Sequence, residues 1–231
     1  MEDLSKAIKM EPKEAGFYYY RGELNTNRYY VDQAIQDYTI AIKLDPNFAH
    51  YFNARAWARL VKLDYKGAIK DCTRALLIEP KNGTSFIYRG FANLDNNNFK
   101  NAIDDFTKAL KCTADNKYIY LHRGKAYLGI LNYKQSILDF NTYLKHHKKD
   151  DQAYYFRGIA KIGTSNFLGA IKDSQKSYAL NPDQSSTLDI CEYAKFKIRE
   201  KKGENISKIE DFIELKKFVK DFGPLENKAI Y

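Results

Sequence analysis

The sequence predicts an all-α protein built from a repeated helical unit, and three observations predict it. Five dipeptides, Arg21-Gly22, Arg55-Ala56, Arg89-Gly90, Arg123-Gly124 and Arg157-Gly158, follow one another in equal steps, 21 to 55 to 89 and onward by 34 residues. Ala34, Ile35, Tyr38, Ala41 and Ile42 fall at i, i+1, i+4, i+7 and i+8, an apolar stripe of helical period. One such helical unit cannot bury both its faces, whereas stacked neighbours can, so the array reads as a solenoid.

Composition is compatible with that class. Apolar residues make up 44% and charged residues 29% of 231, the balance of a globular chain rather than a disordered or fibrous one. No apolar run approaches the roughly 18 residues of a membrane span, and the N-terminal MEDLSKAIKMEPKEAG has acids where a signal peptide needs an apolar stretch. The three cysteines, Cys72, Cys112 and Cys191, are far apart and odd in number, which points to reduced thiols in a cytoplasmic setting.

The same step governs further positions. Ala34-Ile35, Ala68-Ile69, Ala102-Ile103, Ser136-Ile137 and Ala170-Ile171 keep it, as do Asp37, Asp71, Asp105, Asp139 and Asp173. Pro12, Pro46, Pro80 and Pro182 share the phase, and a proline such as Pro46 stops a helix at the residue before it. Large residues stand at Tyr18, Phe52, Phe86, Tyr120 and Tyr154, the fourth position of each unit. Small ones stand at Gly22, Ala56, Gly90, Gly124 and Gly158, where a second helix must come close.

This pattern resembles the tetratricopeptide repeat (TPR) family, whose unit of about 34 residues is two antiparallel helices. The resemblance implies a right-handed superhelical solenoid of helix pairs with C-terminal capping helices. It frames five repeats at 15–48, 49–82, 83–116, 117–150 and 151–184. Residues 1–14 match the second helix of a preceding repeat, with Leu4, Ala7, Ile8 and Pro12 in phase with Tyr38, Ala41, Ile42 and Pro46. The missing first helix favours an excerpt of a longer array over a natural cap. Residues 185–201 match the helix that covers the end of such arrays. Residues 206–222 read as an amphipathic helix, whose apolar face would dock on the last repeat, fill the groove or pair two chains. A short tail, 223–231, follows Gly223-Pro224.

Two departures from the family pattern coincide. Arginine replaces the usual leucine at Arg21, Arg55, Arg89, Arg123 and Arg157, and aspartate replaces the usual tyrosine at Asp37, Asp71, Asp105, Asp139 and Asp173. These are expected to form a structural ladder of Arg–Asp pairs between the two helices, since a ligand surface seldom repeats so regularly. Tyr143, Ser174 and Ser177, out of type for their core slots, predict local irregularity in the fourth and fifth repeats.

In the family, the concave surface is lined by the first helix of each repeat. Carried over here, its fifth and ninth positions are Tyr19 and Glu23, Asn53 and Trp57, Ile87 and Phe91, Leu121 and Lys125, and Tyr155 and Ile159. Exposed Trp and Tyr dominate interface hot spots, so this set predicts a groove for an apolar or aromatic segment of a partner protein. A clamp for the C-terminal carboxylate of a chaperone tail would need basic or amide groups, and Tyr19, Glu23, Ala54, Thr84 and Tyr88 stand in those slots instead.

The sequence offers no catalytic set: it lacks HExxH, paired CxxC, a phosphate-cradling glycine loop and GxSxG. No cofactor and no metal are expected, His146 and His147 being read as a solvated corner among lysines. The expectation is therefore a non-enzymatic scaffold or adaptor. The rival is a nucleic-acid-associated basic protein, given the net charge of +9 and the many tyrosines. Residues 185–231 hold ten Lys/Arg against nine Asp/Glu, so the positive excess is spread over the repeats rather than gathered in one patch.

Overall fold

The computed structural model describes residues 2–113, 116–183 and 186–203. Among them there are twelve α-helices and no strand. The chain forms two compact units, Met1–Asn116 and Lys117–Tyr231. The first holds α1 (Glu2–Met10), α2 (Ala15–Asn27), α3 (Val31–Leu44), α4 (Ala49–Val61), α5 (Tyr65–Ile78), α6 (Gly83–Asp95) and α7 (Phe99–Cys112). The second holds α8 (Tyr118–Gly129), α9 (Tyr133–Leu144), α10 (Asp151–Gly163), α11 (Phe167–Leu180) and α12 (Ser186–Lys201). The segments 206–222 and 223–231 lie outside the described residues.

From α2 to α11 the helices are antiparallel pairs, each first helix packed along its second. Sequence explains where each pair turns. A non-glycine residue at positive φ reverses the chain in every pair: Tyr29 (62°), Leu63 (62°), Asn97 (58°), Leu131 (60°) and Ser165 (58°). The next residue opens the second helix, and Asp64, Asn132 and Asn166 cap it by accepting the amide N–H three residues on. Between pairs, Asp45 before Pro46 takes an extended conformation (φ −134°, ψ 93°) and ends α3.

The core of each pair is a match of small to large. A methyl group placed on Gly22 would lie 2.6 Å from the Tyr38 ring, and one on Gly90 would lie 2.7 Å from Phe106. Gly124 meets Phe140 in the same way. Ala56, buried, instead faces a pair whose corresponding residue is the smaller Cys72. In the last pair, Ser174 stands where the others have a ring, and a methyl on Gly158 would find its nearest atoms at 3.7 Å.

The arginines and aspartates meet across every pair. Arg21 Nη2 donates to Asp37 Oδ1 at 2.6 Å while its Nε donates to Oδ2 at 3.0 Å. The corresponding Nη2 and Nε bonds are 2.7 and 2.9 Å for Arg55–Asp71, and 2.7 and 3.1 Å for Arg89–Asp105. They are 2.8 and 2.7 Å for Arg123–Asp139, and 2.6 and 2.8 Å for Arg157–Asp173. All five aspartates are buried. Each guanidinium also lies over the ring three residues before it: Tyr18, Phe52, Phe86, Tyr120 and Tyr154. The remaining Nη1 reaches back to the preceding pair: Arg55 to Thr39 Oγ1 (2.9 Å), Arg89 to Thr73 Oγ1 (3.2 Å) and Arg157 to Asn141 Oδ1 (2.7 Å). Arg55, Arg89 and Arg157 thus each join three helices, with all three guanidinium nitrogens engaged.

A second donor supports most of the buried aspartates. Asn25 serves Asp37, Arg59 serves Asp71, Asn93 serves Asp105 and Lys161 serves Asp173. The equivalent position in the α8–α9 pair is Tyr127, whose ring packs under Arg123. Burial accordingly pushes the Asp139 carboxyl above its ordinary value, against the pull of Arg123.

The out-of-type residues of the second unit are accommodated locally. Tyr143 is 2% exposed, its hydroxyl donates to Asp150 Oδ2 at 2.7 Å, and its ring stacks on His147 at 4.2 Å. His147 is therefore packed, and only His146 is solvated, because the tyrosine supplies a flat apolar face for the imidazole. Ser177 Oγ donates to the Asp151 carbonyl at 2.8 Å. Among the described residues, Ser174 Oγ is the buried side-chain oxygen without a hydrogen-bond partner.

Candidate functional site

In the first unit, α4 packs beside both α2 and α6. A recess of about 260 Å³ opens on this side, lined in part by Tyr19, Glu23, His50, Trp57, Thr84 and Tyr88. Helical spacing explains the grouping. Tyr19 and Glu23 are one turn apart on α2, as Asn53 and Trp57 are on α4 and Thr84 and Tyr88 are on α6. Each helix therefore presents at least two residues to the same hollow.

The hollow has an ordered polar edge and an aromatic wall. Tyr19 Oη is 2.8 Å from His50 Nε2, and its ring centroid lies 5.5 Å from Tyr51. Burial, reinforced by the Glu23 carboxylate, pushes the Tyr19 hydroxyl up to about 12, so it remains neutral. Glu23 Oε1 accepts from the buried Tyr38 hydroxyl at 2.7 Å. On the other side, the Trp57 and Tyr88 rings lie 5.3 Å apart, tilted by 33°. Trp57 is 42% exposed, which is uncommon for the side chain with the largest apolar surface. No lysine or arginine is among the residues that line the recess.

No family model and no curated protein matches the chain. Solved structures do match. YrrB, described as a TPR protein with an unusual peptide-binding site, aligns at a TM-score of 0.71 and 20% identity, over 80% of this chain and 95% of its own. The fold is the tetratricopeptide repeat. A TPR protein from Parabacteroides merdae aligns at 0.66 and 19% identity over 95% of this chain and 90% of its own. MamA from Desulfovibrio magneticus aligns at 0.62 and 18% identity over 75% and 96%. At such identities the likeness extends to the fold and no further.

Within this TPR fold the ten groove positions have separate fates. Tyr19, Glu23, Asn53 and Trp57 line the recess, but Asn53 is 2% exposed and forms its floor. Its amide accepts from Ser85 Oγ at 2.7 Å and donates to Asn82 Oδ1 at 3.3 Å, tying α4 to the start of α6. Ile87 and Phe91 are half-buried and do not line the recess. Phe91 is held edge-on by Phe106 and packs against the core around Ala56 and Cys72. In the second unit, Leu121 and Tyr155 are buried, Ile159 packs on the core, and Lys125 Nζ sits 4.5 Å above the Phe156 ring. Those four side chains are largely occupied in packing within their own TPR unit.

Thr26 and Asn27, at the C-terminal end of α2, also line the recess and were missed from the sequence. Among the described residues no three His, Cys, Asp or Glu side chains gather as a metal site would require, and no helix is long and apolar enough to cross a membrane.

Proposed function

We propose that this chain is a non-enzymatic interaction scaffold that holds a segment of a partner protein in the aromatic recess of its first unit. The observation that carries this reading is Trp57. It is the sole tryptophan of the chain, and it stands 42% exposed beside Tyr88 while the core is filled by smaller residues. A large ring left in solvent at the wall of a hollow is the usual anchor of a protein interface. The TPR fold, and the peptide-binding site that YrrB is described as having, are compatible with such a role. The segment would be apolar or aromatic in character rather than a chaperone-type terminal carboxylate, for which the recess offers no cation.

The test is capture from a native lysate on the immobilised chain, with and without nuclease, alongside a Trp57→Ala/Tyr88→Ala variant. Defined proteins that survive nuclease and are lost with the variant support the reading. Capture that ignores the variant and vanishes with nuclease overturns it in favour of nucleic-acid binding through the net charge of +9.

A further inference from the structure

The charge of the recess runs against the charge of the chain. The chain carries a formal net charge of +9, yet the residues lining this hollow include a carboxylate, Glu23, and no lysine or arginine. The groups that engage the Glu23 side chain are neutral: the Tyr38 hydroxyl donates to Oε1, and the Tyr19 hydroxyl also interacts with this carboxylate. Neutral hydroxyls need an acceptor but not a negative charge. The charge is therefore in excess of what the fold requires at this point.

The rest of the lining suits a positive guest. Trp57 and Tyr88 line the hollow with rings 5.3 Å apart, and a cation over an aromatic face is attracted by the ring quadrupole, most strongly for tryptophan. Tyr19 stays un-ionised and donates or accepts with His50. An anionic guest would meet the Glu23 charge unscreened by any lining cation. A wholly apolar guest would bury that carboxylate without a counter-charge, at a desolvation penalty.

We propose that the recess receives a cationic side chain, arginine or lysine, of the partner segment, set against the Trp57 and Tyr88 rings with its charge beside the Glu23 carboxylate. This rests on the proposed function and adds the chemistry of one partner residue. The positive surface elsewhere then discourages segments that are basic throughout, so the preferred partner is an isolated basic residue among apolar or acidic neighbours.

Selection of short displayed random peptides on the folded chain, followed by titration of the best of them against Trp57 fluorescence, tests this. Peptides chosen by the wild-type chain should share one arginine or lysine. Replacing that residue by glutamine in the peptide should weaken binding to the wild type about ten-fold, and should change binding to Glu23→Gln little. Glu23→Gln retains an acceptor for Tyr38, and the peptide-side replacement tests the same pair without altering the fold. Selected peptides without a shared basic residue, or an equal loss on both proteins, overturn the inference. If those peptides still require Trp57, the proposed function survives its failure. A selection that yields nothing sensitive to Trp57→Ala overturns both.

Discussion

Gly90 and Gly158 occupy equivalent places in two repeats, and their neighbours give a methyl group opposite consequences. At Gly90 the added carbon would press into the fully buried Phe106 ring, which has no room to retreat. Gly90→Ala is expected to cost about 1–3 kcal/mol, as overpacking of a dense core does. At Gly158 the nearest atoms are 3.7 Å away, an ordinary contact, so Gly158→Ala should gain about 0.5–1 kcal/mol from helix propensity. Urea titration of the two variants checks the sign of each. The aspartates differ in the same informative way. Asp105 accepts from both Arg89 and Asn93, whereas Asp139 leans on Arg123 with Tyr127 in the second donor's place. Asp105→Asn should therefore destabilise more than Asp139→Asn. Burial raises the folded Asp139 carboxyl above the ordinary 3.8 despite Arg123, so the folded chain takes up this proton at higher pH than the unfolded chain does. The wild type should gain stability relative to Asp139→Asn as pH falls from the folded value toward 3.8, and equilibrium unfolding along that window measures it. The repeated Arg and Asp letters made the pairs readable from the sequence, since both break the family pattern at one fixed spacing. Their third partners were not read. Thr39, Thr73 and Asn141 share the phase of the 34-residue period, but polar side chains on a helix face look solvated until the neighbouring helix is in place.

The helix pair is set by its turn. Leu63 is held at φ 62° with its side chain 67% exposed, so it bears left-handed strain with little packing in return. Leu63→Gly should stabilise the α4–α5 pair by about 0.5–1 kcal/mol, the strain relieved exceeding the entropy added to the unfolded chain. Asn97→Gly, at the same turn of the next pair, should gain less, since asparagine tolerates this conformation. Thermal unfolding of both variants makes the comparison, and a loss at Leu63 would show that the exposed leucine is held by contacts after all. Helices were legible at this scale because apolar period and proline phase agree. The orientation of their fifth and ninth residues was legible only in part. Asn53, Leu121 and Tyr155 turn inward because each first helix is covered by neighbours on two sides, a burial that a single-repeat template does not register.

For the molecule as a whole, each helix pair draws its stability from itself and its neighbours, so damage should stay local. Gly22→Val drives a branched side chain toward a Tyr38 ring that lies 2.6 Å from even a methyl group there. Hydrogen exchange followed by mass spectrometry should show α2 and α3 losing protection while α10 and α11 keep theirs. Uniform loss across all helices would instead mean that the chain opens as one cooperative body. The recess depends on α2, α4 and α6 together, so the same variant should abolish peptide capture without unfolding the second unit.

The cross-pair reach of the arginines bears on how many repeats such a chain can have. Each arginine finds its aspartate sixteen residues ahead and, where the bond is described, a hydroxyl or amide sixteen residues behind. Inserting or excising one whole unit leaves an arginine such as Arg55 or Arg89 with both partners, because the neighbouring unit carries the same groups at the same offsets. Inserting a single residue between Thr39 and Arg55 shifts that offset and strands the connection. The array is thus free to change in length by whole modules and resistant to change by anything smaller.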